Sequence, residues 1–126
     1  MSGGLGRISY VVIDSVDPDA LAPFWAAVLG VDVQDRIEGG AYVLLSRPAE
    51  GSPGLAFQRV PEAKEGKVRI HVDLGVDDLA GATERIQELG GSWVEAGVTH
   101  QIEGYHWRCM ADPEGHEFDI ASNAAP

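Results

Sequence analysis

Apolar and polar residues alternate, then switch to a helical period, and the chain runs through this sequence of patterns twice. From Arg7 to Ser15, Ser9, Val11 and Ile13 fall on one side and Ile8, Tyr10, Val12 and Asp14 on the other, which predicts a first strand after a tail of six residues. Asp17-Pro18 then signals a helix start, because Asp17 can cap the first turn and proline suits the first helical position. The helix places Leu21, Phe24, Trp25, Val28 and Leu29 on one stripe, and Gly30 ends it. Pro23 falls about one turn in and predicts a loosened start. Three strand-like segments follow: Val31–Ile37, Ala41–Arg47 and Leu55–Val60. The polar segment Pro61–Lys67, "PEAKEGK", reads as a linker.

The pattern then restarts. The stretch Val68–Asp78, "VRIHVDLGVDD", alternates Ile70, Val72 and Leu74 with His71, Asp73 and Gly75, which predicts an amphipathic strand with a histidine at its centre. "DLAGATERIQELGG" follows as a helix burying Leu79, Ala82, Ile86 and Leu89. Further strands are expected at Ser92–Ala96, Tyr105–Ala111 and Glu117–Ala121, the last two joined by the turn Asp112–Gly115. The segment "THQIEGYH" reads as a loop. Tyr10 matches His71 in this repeat, and Gln58 matches Asp119, each just after a phenylalanine (Phe57, Phe118). The expected fold is α+β: two tandem βαβββ modules, about 7–61 and about 68–121, forming a curved mixed sheet around a central cleft within one domain.

Composition narrows the function classes. Nine basic against twenty acidic residues give a formal charge of -11, which argues against nucleic-acid phosphates and anionic membranes as partners. It leaves room for a cationic small molecule. No apolar run is long enough to span a bilayer, and the N-terminus carries no apolar signal core, so a cytoplasmic location is expected. The single cysteine, Cys109, excludes an internal disulfide and reads as a small buried hydrophobe.

The chemistry-bearing positions gather on the polar sides of the strands. His71 beside Asp119 suits a general base, since a neighbouring carboxylate orients the imidazole, and Tyr10 is then the candidate donor to a developing oxyanion. Asp14, Asp73, Glu117 and Asp119 share the parity of an acidic lining, which favours a cationic ligand. Trp107 either stacks on a planar ligand or closes the core. Phe24, Trp25, Phe57 and Phe118 have core parity, and His116 serves the turn before it.

Three segments, "ISYVVIDSVDPDALAPFWAAVLG", "RIHVDLGVDDL" and "WRCMADPEGHEFDI", resemble in order and spacing the vicinal oxygen chelate superfamily of glyoxalase I, bleomycin-resistance proteins and extradiol dioxygenases. The wording is most similar to the small glyoxalase-like proteins. In metal-dependent members the resemblance implies ligands on the first and fourth strands of each module, here Tyr10, Gln58, His71 and Asp119. His71 keeps the usual residue, Asp119 shortens a glutamate, and Gln58 and Tyr10 depart from the pattern. The resemblance thus leaves His71 and Asp119 as the positions where one divalent metal ion could rest, with Asp73, Glu117, Gln58 and Trp107 around the ligand, beside the reading of His71 as a cleft histidine hydrogen-bonded to Asp119 or Tyr10. The expected function is small-molecule binding. The alternatives are a metal-dependent lyase or dioxygenase, sequestration of a cationic antibiotic, and a metal-free isomerase or cyclase with His71 as base. The resemblance also implies a homodimer.

Overall fold

The computed structural model describes residues 4–124. Met1–Gly3 of the expected tail lie outside the described residues; Gly4–Gly6 are exposed and belong to no element. After Ala63, inside the expected linker, the chain divides into two compact units.

The first unit contains β1 (Tyr10–Ser15), α1 (Pro18–Leu29), β2 (Val33–Ile37), β3 (Tyr42–Leu45) and β4 (Gly54–Arg59). The sheet order is β1-β4-β3-β2, with β1 parallel to β4 and the other pairs antiparallel. Strand β1 starts three residues later than the alternation predicts. Its partner β4 begins at Gly54, opposite Tyr10, and Pro53 before it has no N–H to extend the ladder. Ile8 is accordingly 70% exposed.

Asp17 caps α1 as expected, its Oδ1 accepting from the Ala20 amide at 3.3 Å. Gly30 ends the helix in the left-handed conformation, φ 68°. Pro23 neither breaks nor loosens it: the ring sits on the exposed side, and the helix forgoes only the bond to the carbonyl four residues back. Leu21, Phe24 and Trp25 point inward onto Val43, Leu45 and Phe57, all buried, and Phe24 meets Trp25 edge to face at 5.5 Å.

The second unit contains β5 (Asp73–Gly75), α2 (Leu79–Glu88), β6 (Ser92–Trp93), β7 (His100–Ile102), β8 (Tyr105–Ala111) and β9 (Glu117–Ser122). The order β5-β9-β8 repeats that of the first unit, again with the opening strand parallel to the last. Strands β6 and β7 both pair with β8, at opposite ends, so together they take the place that β2 holds in the first unit. Helix α2 buries Leu79 and Ile86 as predicted, but Thr83 is the third buried residue, ahead of the half-buried Ala82 and Leu89. The Thr83 hydroxyl satisfies itself on the Leu79 carbonyl at 2.7 Å.

Two local expectations change here. The expected long strand through His71 shrinks to three residues, Asp73–Gly75. It is an edge strand with one neighbour, and its ladder opens where the Asp119 amide donates to the Val72 carbonyl at 3.0 Å. Upstream, the Val68 amide is taken by the Glu117 side chain, and Ile70 is 83% exposed instead of lying on an apolar face. The expected loop "THQIEGYH" contains β7 and a tight hairpin to β8. Glu103 and Gly104 have φ 49° and 82°, the two positive values that a two-residue hairpin turn of the right twist requires.

Candidate functional site

In the second unit, Asp119 on β9 lies between two rung partners, Asp73 on β5 and Cys109 on β8. Residues on one rung share a face, so three polar side chains stand in a row on the side of the sheet away from α2. The opposite face is occupied by Arg108, whose guanidinium bonds Thr83 of α2 at 2.8 Å and stacks on Trp93 at 4.4 Å. His71 is two residues ahead of Asp73, just outside β5. Its Nε2 lies 3.3 Å from Asp73 Oδ1 and 3.4 Å from Asp119 Oδ2. One ligand atom from each of these three residues falls within 4.8 Å of the other two.

The electrostatics of the group follow from burial. Asp119 has a side chain only 15% exposed, against 49% for His71 and 52% for Asp73. Burial pushes the Asp119 carboxyl above its ordinary range; His71 pulls it down, and Asp73 pushes it up again. The Cys109 thiol is raised too, chiefly by burial and then by the negative charge of Asp119. It stays a protonated S–H donor, not a nucleophile.

The other expected site residues are placed differently. Glu117 does not line the acidic face as a free carboxylate. Its Oε1 accepts from Lys64 Nζ at 3.1 Å and from the Val68 amide at 3.0 Å, and Lys67 Nζ stands 3.6 Å from Oε2. The Val68 amide bond holds this carboxyl below its usual value against burial, helped by the two lysines. Trp107 is half-buried on the same face as Cys109, with its ring stacked on His100 at 5.2 Å and tilted against Tyr105 at 6.2 Å.

In the first unit the register sets Tyr10 opposite Gly54 and Gln58 opposite Asp14. Tyr10 and Gln58 are thus four rungs apart, about 13 Å of strand, and do not converge on one ion. Tyr10 packs on Gly54, where an added Cβ would lie 2.7 Å from its ring, and beneath the Arg47 guanidinium at 4.6 Å. The equivalence of Tyr10 and His71 holds when counted from the helix caps Asp17 and Asp78, but the two sheets differ by two residues in register. His116 bonds Asp112 at 2.8 Å and serves the turn, as expected. The sequence reading missed Cys109 as a neighbour of Asp119; the signal was its parity with Trp107 and Tyr105 on β8.

The profile of the glyoxalase-like domain matches residues 10–121. The chain belongs to the glyoxalase-like domain family. This glyoxalase-like protein thereby falls in the vicinal oxygen chelate superfamily. Its fold is shared by a glyoxalase/bleomycin resistance protein/dioxygenase family enzyme from Burkholderia phytofirmans PsJN, 18% identical over 93% of this chain and 98% of that one, TM-score 0.70. A glyoxalase-related enzyme from Fulvimarina pelagi is 18% identical over 94% and 88%, TM-score 0.72. TioX from Micromonospora sp. ML1 is 19% identical over 94% and 99%, TM-score 0.66. Among curated proteins no match is found. Among the described residues no helix is long and apolar enough to cross a membrane.

Proposed function

We propose that this glyoxalase-like protein binds a small molecule through one divalent cation held by His71, Asp73 and Asp119. The observation that supports the reading is the convergence of one imidazole and two carboxylates within 4.8 Å. A reactive divalent site uses about three protein ligands and leaves positions for water and substrate. The donor set fits such an ion: it has three members, it is oxygen-rich, and its net negative charge is relieved by a cation in place of a proton. Asp73 supplies the third donor, taking the part that the family pattern gives to the first module's positions. A bound ion would supply a Lewis acid for adjacent oxygen atoms of the ligand. The chain's own residues orient it: Asp119 is fixed from the β8 side by Cys109, and His71 is held in reach of both carboxylates.

A second reading rests on the same His71 contacts. His71 Nε2 faces both carboxylates, an arrangement that orients an imidazole and suits a metal-free general base. Equilibrium dialysis against Mn²⁺ and Zn²⁺ separates the two. The metal reading expects one ion per chain, lost in His71→Ala and in Asp119→Asn. Equal uptake by the parent protein and both variants, or none by any, would overturn it.

A further inference from the structure

We propose that Glu117 is a positioning residue for His71: its carboxylate clamps the segment ahead of β5 so that the imidazole is presented to Asp73 and Asp119. The proposal rests on the reading of the His71 group as the functional site. It begins from a gap in the backbone ladder. The first rung of β5 is the Asp119 amide on the Val72 carbonyl, so residues before Val72 have no strand to hold them. His71 sits immediately outside that rung, with its side chain 49% exposed.

Among the described residues, the hydrogen bond to the segment upstream comes from one side chain. Glu117 Oε1 accepts from the Val68 amide at 3.0 Å and from Lys64 Nζ at 3.1 Å, while Lys67 lies 3.6 Å from Oε2. The Glu117 and Lys64 side chains are 13% and 19% exposed, so water competes weakly for these bonds. His71 therefore lies between two anchors, Val68 held by Glu117 and Val72 held by the backbone of Asp119. Both anchors belong to β9, two residues apart. The same strand thus supplies a candidate ligand, Asp119, and the clamp that aims the histidine at it. Glu117 makes no bond to His71, so its influence runs through the backbone of residues 68–71. Partners that bond a metal ligand directly are worth about 10- to 100-fold in affinity when removed, and a clamp acting through the backbone is expected at the lower end of that range.

The experiment compares the parent protein with Glu117→Gln, which keeps the volume and removes the charge. Side-chain imidazole spectra of the metal-free proteins are recorded by NMR, with His71 assigned through His71→Ala and His100 as the internal reference. The expected result is that His71 signals shift or broaden in Glu117→Gln while those of His100 stay in place, and that the Mn²⁺ dissociation constant rises about tenfold or more. Should Glu117→Gln fail to fold, Lys64→Met loosens the same clamp from the other side and is expected to move the same signals. Unchanged His71 signals overturn the proposal, whatever happens to Mn²⁺. Shifted His71 signals in a protein that binds no Mn²⁺ support the clamp and remove the metal reading.

Discussion

Replacing Asp119 with asparagine is expected to make the metal-free protein more stable and the metal-loaded protein less so. The Asp119 and Asp73 carboxylates approach within 4.8 Å. Two unit charges at that distance repel by about 3.5 kcal/mol at an effective dielectric of ~20 and by about 0.9 kcal/mol in bulk water. Asp73 is half-exposed, so solvent screening keeps the value near the lower figure, about 1 kcal/mol. Asparagine has nearly the same shape and still accepts from Cys109, so the variant sheds the cost of burying the charge and the repulsion, which together exceed the lost attraction of His71, without opening a cavity. For a chain of this length, 1 kcal/mol corresponds to roughly 3–5 °C in Tm. A ligand present at about 100 times its Kd adds about 2.7 kcal/mol to the species that binds it. Saturating Mn²⁺ is then expected to lift the parent protein above the variant by about 1.7 kcal/mol, the gain from binding less the relieved repulsion. Thermal melts of both proteins, with chelator and with Mn²⁺, read the inversion directly. If Asp119→Asn is the less stable protein in chelator, the carboxylate is a structural acceptor and the repulsion argument is wrong. If Mn²⁺ raises both equally, Asp119 holds no ion.

Asp17→Ala removes the acceptor for the Ala20 amide at the start of α1 and is expected to cost about 1 kcal/mol, read as a fall in Tm by circular dichroism. Two hydrogen bonds from Arg36, at 2.8 and 2.7 Å, hold the Asp19 carboxyl below its ordinary value despite some desolvation. A depressed carboxyl contributes stability above its unfolded pKa and loses that contribution as pH falls through the folded one. The Tm gap between the parent protein and Asp19→Asn is therefore expected to be small at pH 7, since the pair is exposed, and to close in acid. A gap that persists undiminished at pH 2 contradicts the assignment.

The elements that carry their own signals were legible in the sequence. Helix α1 has a cap, a proline at its first position and a terminal glycine, and each is used. The repeat was legible because both units keep the same strand order, with the opening strand parallel to the last. What failed were the strands whose extent depends on a partner. The alternation in "VRIHVDLGVDD" continues well before Asp73, yet the ladder stops two residues short of the Glu117 end of β9, where the Val68 amide goes to the Glu117 side chain instead of to a strand. Strand β7 is three residues with a single large apolar side chain, so its existence depends on the Glu103-Gly104 turn folding it back onto β8. Hydrophobic period reports which face a residue prefers; it does not report where pairing with the neighbouring strand stops.

The site shows the same division between face and partner. Asp73, Glu117 and Asp119 all have the parity of one polar face, and the sequence treats them alike. Their fates differ because of what lies beside them. Asp73 and Asp119 are rung partners, so register forces two carboxylates together and leaves His71 within reach of both. Glu117 is one step along the same face, but there the chain brings Lys64, Lys67 and the Val68 amide against it. Two donors meet Oε1 and a second lysine faces Oε2, so the carboxylate that would have extended an acidic lining is engaged by its own chain. In the second unit the carboxylates left beside His71 are Asp73 and Asp119. A single divalent ion needs only those three donors. The lysine-rich end of the linker thus shapes the site by withdrawing one acid from it, a role that neither the parity of Glu117 nor the charge of the segment declares alone.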